Sequence, residues 1–313
     1  MPQVANTFAT FNSTRNREQL MNNIWNVSVS DTPFVKLIGK EKADGVFIEW
    51  NTDTYAAGAA NKVEQGNQST VASVTPTQRL GNRTQISEKT FGVTGTQEAV
   101  EKAGGKSEYS YQLAKKMVEL KKDVEFGCLQ NTTAIAASAG VAPQARGLFG
   151  FMSSNVSLGT GGVAANPVTN TAAVDGTQRA FTEPLLKNVL QQMFDNGADL
   201  DNSYILLPSS QRTVFDTFLA GQTRFDKAED KQLTATLEVY IGPFGRVKAV
   251  NARHMRQREV AVINPEFLAL ATLRGMKDTP LAKIGDTQNV LVNTEWTLIN
   301  KNPAAHGAIL DLS

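Results

Sequence analysis

The chain carries few of the side chains that metal or covalent chemistry needs. Cys128 is its one cysteine, and His254 and His306 are its two histidines. One thiol excludes an internal disulfide and, by itself, a cysteine-built zinc site. Selection for an oxidising compartment is therefore not expected. Neither histidine has an acidic or histidine partner at metal-ligand spacing, and no His-Glu-x-x-His run occurs. A Gly-x-Ser-x-Gly nucleophile elbow is absent too. No stretch of about 18 apolar residues is present, so no bilayer-spanning helix is expected. The start, MPQVANTFATFNSTRNR, lacks the basic patch and apolar run of a secretory signal. Asn-x-Ser/Thr triplets such as Asn26-Val27-Ser28 then reflect composition and not glycosylation. Neither charge sign dominates: 31 Lys and Arg face 30 Asp and Glu. That balance argues against a dedicated nucleic-acid binder with a basic face, and it lets like chains approach one another.

What is present is a chain of 313 residues, 41% hydrophobic and 19% charged, enough for two packed units or one elaborated domain. Residues 1 to about 23 are polar and read as an extended arm. A short apolar patch (Ile24, Trp25, Val27, Val29) follows, then Asp31-Thr32-Pro33-Phe34, where proline imposes an extended or turn geometry before it. Residues 46–55 and 83–94 alternate like strands. Between them, 56–82 is rich in Ala, Gly, Asn, Gln, Ser and Thr and has little to bury. Two strands around so long a polar excursion predict a projecting β-loop, and loops of this length usually carry a role.

The strongest periodicity lies at 105–131. Tyr109, Leu113, Met117, Leu120, Val124 and Cys128 recur at spacings of four and three, one apolar stripe on a helix about 40 Å long. Ser107 is its expected N-cap. Lys115 with Glu119, and Lys121 with Glu125, are spaced for weak ion pairs on the solvated faces. Cys128 falls on the stripe, which predicts a packed thiol and not a nucleophile.

Residues 138–176 read as loops and short strands. Beyond them the pattern becomes α/β. A helix over 183–197 ends at Gly197, a strand covers 203–208, and a helix over 209–221 is capped by Ser209 or Ser210 and closed by Gly221. Strands are predicted at 234–241, 246–252, 259–263 and 268–274, and two more in the tail around a turn near Asn302-Pro303.

Candidate sites are few. Gly105-Lys106-Ser107 resembles the end of a phosphate-binding loop, but the glycine required five residues earlier is Val100. Gly159-Thr160-Gly161-Gly162 opens no helix and reads as a flexible loop. The carboxylates of Asp199, Asp201, Asp226, Glu229 and Asp230 fit a solvated loop without a metal. Arg253, Arg256 and Arg258 form the densest basic run, either a contact patch for nucleic acid or an acidic partner, or a solvated strand end. No catalytic, cofactor or metal constellation emerges, and the chain reads as a non-enzyme of the α+β class. An arm and a loop are costly to order alone and become worthwhile when neighbouring copies bury them.

A family resemblance runs through nearly the whole chain. It is carried by SDTPF (30–34), FIEWNTDT (47–54), TQISEKTFGVTGTQEAV (84–100), EYSYQLAKKMVELKKDVE (108–125), ARGLFG (145–150), YILLPSSQ (204–211), IGPFGRV (241–247) and KIGDTQNVLVNTEWTLINKNPAAHG (283–307). In order and spacing these resemble the major head proteins of tailed bacteriophages, with the Hong Kong 97-type capsid fold. The resemblance implies an N-terminal arm at 1–46 and an extended loop at 47–90. It implies a peripheral domain at 91–149 that holds the long spine helix, an axial domain at 150–269, and a peripheral return at 270–313. It implies pentamers and hexamers in an icosahedral or elongated shell around packaged double-stranded DNA, with no sequence specificity, no membrane and no cofactor. Portal, scaffold and decoration proteins are the further partners implied, in a virion assembled in host cytoplasm. In that layout Trp25 and Phe34 on the arm, Trp50 and Tyr55 at the loop base, and Glu64 on the loop are the expected intersubunit contacts. For the aromatics, an intrasubunit core is the alternative. Rival readings are a decoration or adaptor protein of the same particle, an encapsulin-like compartment shell, and an enzyme with an unfamiliar site in 138–176.

Overall fold

The computed structural model describes residues 31–56, 58–68, 71, 73–74, 76–101, 107–218, 239–283 and 285–313. The expectations for Trp25, for arm residues 1–30, for Gly105-Lys106, for Gly221 and for Asp226, Glu229 and Asp230 lie outside the described residues.

In chain order the elements are α1 (Pro33–Leu37), β1 (Gly39–Lys42), β2 (Phe47–Thr52), β3 (Gln78–Arg83), β4 (Gln85–Thr94), α2 (Gly95–Ala99) and α3 (Glu108–Gln130). Then come β5 (Val156–Ser157), α4 (Glu183–Asp195), β6 (Ser203–Leu207), α5 (Ser209–Phe215), β7 (Val239–Gly242) and β8 (Gly245–Asn251). The chain closes with β9 (Val260–Ile263), β10 (Leu268–Pro280), β11 (Thr287–Asn300) and β12 (Gly307–Ile309). They form a four-stranded sheet in the order β1-β10-β11-β4, a six-stranded sheet in the order β5-β12-β9-β6-β8-β7, and a separate β2-β3 ribbon.

The long helix forms where the apolar stripe predicts it. Ser107 caps it by accepting from the Ser110 backbone N–H. Tyr109, Leu113, Met117 and Leu120 pack on Phe91, Val290 and Val292 of the four-stranded sheet. The stripe continues through Val124, Cys128 and Leu129 into the main core, with Phe34, Leu148, Phe151 and Trp296. Helix and sheet approach closely at Gly127, where an added Cβ would lie 2.9 Å from the Trp296 ring. The charged faces differ from expectation. The ion pairs formed are Lys116–Glu119 (2.8 Å) and, across to β4, Lys89–Asp123 (2.7 Å). Glu125 is not on a solvated face: it is fully buried beneath α1.

The six-stranded sheet buries Ile205, Leu207, Val260, Val262 and Ile309 against Leu186, Val189, Leu190 and Met193 of α4. Gly197 ends α4 at φ +80°, a conformation a glycine adopts without penalty. The cap of α5 departs from expectation. Neither serine caps it through its own side chain; Pro208 precedes it, and the Gln257 side-chain oxygen accepts from the Ser210 N–H at 3.1 Å. β10 runs to Pro280, past the predicted end at 274, because β11 pairs with it across two register shifts near Arg274. The two tail strands part company: β11 stays in the four-stranded sheet, and β12 crosses to the six-stranded sheet.

Candidate assembly surfaces

The root of the long polar segment differs from the predicted one. Of the predicted partner strand at 83–94, only Arg83 pairs with β2. β2 pairs antiparallel with β3, from Phe47 opposite Arg83 to Thr52 opposite Gln78. β4 instead pairs with β11. The segment QRLGNR escapes a hydrophobic pattern because only Leu80 among its side chains is apolar, yet Leu80 and Asn82 alternate inward and are buried.

Beyond the root, residues 53–77 carry large apolar side chains that their own chain leaves in solvent. Tyr55, Val63, Val71 and Val74 are exposed to between 72% and 103%. Glu64 is exposed as well, and its carbonyl accepts from the Asn67 N–H in a turn that includes Gly66 at φ +86°. Trp50 is half-buried at the root, its ring 5.9 Å from that of Phe151. An open groove of about 830 Å³ lies beside the root, lined in part by Thr52, Asp53, Pro76, Ser153, Val168 and Pro303.

Phe34 must be corrected. It is fully enclosed by its own chain among Val124, Cys128 and Leu129, and presents no surface to a neighbour. The basic run is largely neutralised within the subunit. Arg256 pairs with Asp175 and with Glu259 (2.9 Å), and Arg258 pairs with Asp175 (3.1 Å) and Asp311 (2.8 Å). Arg253 is the exposed member of the three. Burial pushes the Glu259 carboxyl up to about 7.

His306 and Cys128 both lie in the interior. His306 is buried, its Nδ1 accepts from the Asn264 N–H at 3.2 Å, and burial pulls its pKa down to about 3. Burial likewise raises the Cys128 thiol. Among the described residues no group of three or more His, Cys, Asp or Glu could hold a metal ion, and no helix is long and apolar enough to cross a membrane.

Two residues at the loop root carry no signal in a sequence pattern. Asn82 and Arg146 are both buried, and the Asn82 side chain bonds the Arg146 backbone in both directions. ARGLFG stood out only as part of the resemblance, not by its chemistry.

A helix-backed four-stranded sheet, a second α/β sheet unit and a separate ribbon with an exposed loop make up a fold of the Hong Kong 97 capsid type. Solved capsids share this fold. The Cyanophage A-1(L) capsid subunit aligns with a TM-score of 0.66 at 14% identity, over 97% of this chain and 99% of that one. The capsid of the native GTA particle gives 0.68 at 10% identity, over 99% and 100%. Gordonia phage Cozz gives 0.59 at 12%, over 100% and 97%. In sequence, the major capsid protein of Escherichia phage Phieco32 is 25% identical over an alignment 344 positions long, which covers 96% of each chain. The profile of the SU10 major capsid protein family matches residues 3–313, and the chain belongs to that family. It is a structural shell protein of a phage capsid, and the adaptor and compartment readings give way to that.

Proposed function

We propose that copies of this chain form pentamers and hexamers that close into a phage head around double-stranded DNA, by geometry and with no catalytic step. The reading assigns 1–46 to an arm, 47–90 to the extended loop and its return, 91–149 and 270–313 to the peripheral domain, and 150–269 to the axial domain. Assembly takes place in host cytoplasm with a portal and with scaffold or decoration proteins. DNA is enclosed without sequence specificity, in keeping with a net charge of +1.

The observation that carries the proposal is the loop. Tyr55, Val63, Val71 and Val74 project from it with no cover of their own. Complete burial of one such side chain is worth roughly 1.5–3 kcal/mol, against the entropy of ordering the segment. One contact is modest; a closed lattice repeats it in every subunit, because a head-to-tail contact that closes on rotation makes a ring. Tyr55 and Glu64 remain the contact residues proposed on the loop, and Trp50 the residue that carries the loop from the body.

The test is electron microscopy of purified chain, with and without residues 56–76. A cut through 82, which the sequence pattern alone suggests, would also remove the buried Leu80 and Asn82. The intact chain should give closed shells or five- and six-membered rings, and the deletion a folded subunit that makes none. Normal shells from the deletion would overturn the proposal.

A further inference from the structure

The β2–β3 ribbon is a sheet of its own, so no strand ladder ties the loop to the body. Apolar packing holds it in part. Ile48 and Trp50 rest on Ala269, Ala271 and Ile299, and Trp50 also meets Phe151. Apolar burial is non-directional and leaves a ribbon free to rock on its seat.

Direction comes from Asn82. This side chain is fully buried. Its Nδ2 donates to the Arg146 carbonyl at 3.0 Å and to the Leu298 carbonyl of β11 at 2.7 Å. Its Oδ1 accepts from the Arg146 N–H at 2.8 Å and from the Arg83 N–H at 2.9 Å. Both amide hydrogens and both carbonyl lone pairs are thereby used, and rotating the amide by half a turn would break all of these bonds. Among the described residues, the hydrogen bonds from the ribbon to the body come from this one side chain. It joins the loop root to the ARGLFG turn and to the longest strand of the four-stranded sheet.

We propose that Asn82 is the positioning residue that sets the angle at which the loop leaves the subunit, and through that angle the curvature of the shell. The second half rests on the assembly proposed above; the first half does not. A side chain in place of a ladder suits this task. A ladder would fuse ribbon and body into one continuous sheet, whereas one amide fixes a direction at a single point.

Spin labels at Val63→Cys on the loop and Val118→Cys on the exposed face of α3 report the angle as a distance distribution in dispersed subunits; Cys128 is buried away from the reagent. Asn82→Ala and Asn82→Ser should shift or broaden that distribution. Leu190→Ala, in the core of the other sheet, should lower the melting temperature and leave the distribution as it was. An unchanged distribution in both Asn82 variants overturns the proposal. If neither variant folds, hydrogen exchange on the unmodified chain decides. The Arg146 N–H, which donates to Asn82, should exchange as slowly as the β11 ladder amides, and fast exchange overturns the proposal. Micrographs then test the second half. The Asn82 variants should lose uniform closed shells in favour of open sheets or mixed diameters, and shells of native size would refute the link to curvature. Failure of the unmodified chain to make shells would refute the assembly reading alone, with the distance readout unaffected.

Discussion

The Glu125 carboxylate accepts a hydrogen bond from the Val35 backbone N–H at 3.4 Å, and so joins α3 to α1 across ninety residues of sequence. The N–H groups of a first helical turn have no partner within the helix, and an acceptor placed there satisfies them. Burial of the carboxyl nonetheless outweighs this help and pushes its pKa up to about 7 from an ordinary 4.5. Asp31 nearby raises it further, while Lys36, which is paired with Asp31, lowers it.

The sign of the pH dependence follows. A carboxyl with a raised folded-state pKa keeps its proton in the folded chain after the unfolded chain has lost it. Stability is therefore full below about pH 4.5, falls between 4.5 and 7, and is level above that as far as this group is concerned. The loss should be on the order of 1–3 kcal/mol. Glu259, also buried with a pKa of about 7, acts in the same direction. Denaturant titrations from pH 4 to 8 should show the decline, and Glu125→Gln should remove part of it. A slope unaltered by that substitution would refute the assignment.

Gly127→Ala should destabilise the subunit although alanine is the better helix former by roughly 1 kcal/mol. The added methyl meets the Trp296 ring at 2.9 Å, and that ring is pinned by its Nε1–H bond to Ser87 Oγ at 3.0 Å. Overpacking of this kind costs about 1–3 kcal/mol. Thermal unfolding measures the net, and a rise in melting temperature would contradict the packing argument.

Asp311 sits at φ +61° with its carboxylate oxygens accepting from the N–H groups of Gly159 (3.0 Å) and Gly176 (2.8 Å), and from Arg258 (2.8 Å). Asp311→Asn keeps a residue that tolerates this backbone but places an amide where only acceptors fit. A loss of about 1–3 kcal/mol is expected, read by chemical denaturation. Asp311→Ala should cost more, because alanine also resists the positive φ.

Val71→Asp and Tyr55→Asp should leave subunit stability within about 0.5 kcal/mol, since both side chains stand free of their own chain. Assembly should nevertheless be reduced, as light scattering would follow. Variants that assemble like the parent would remove these two residues from the contact set.

Short-range pattern explains what was legible. α3 and α4 announce themselves because their apolar side chains repeat with the helical period, and β6 because Ile205, Leu206 and Leu207 form a short continuous apolar run. Gly197 ends α4 as read, since a left-handed residue is a local requirement. The resemblance, too, rested on ordered short segments. Three features escaped. β3 is polar, and becomes a strand because β2 pairs with it. Glu125 repeats at a solvated spacing on its helix, and is buried because α1 lies over it. Arg256 and Arg258 read as a basic patch, and are neutralised by Asp175, Glu259 and Asp311, two of which come from distant sequence.

By itself, then, the order of residues determined the three helices α3, α4 and α5, most strands and the long polar segment that has little to bury, because each depends on neighbours a few residues apart. Tertiary structure alone decided which strands pair, which charges are buried and what holds the loop at its root. Those depend on contacts such as Asn82 with Leu298, 216 residues apart, which no local pattern records.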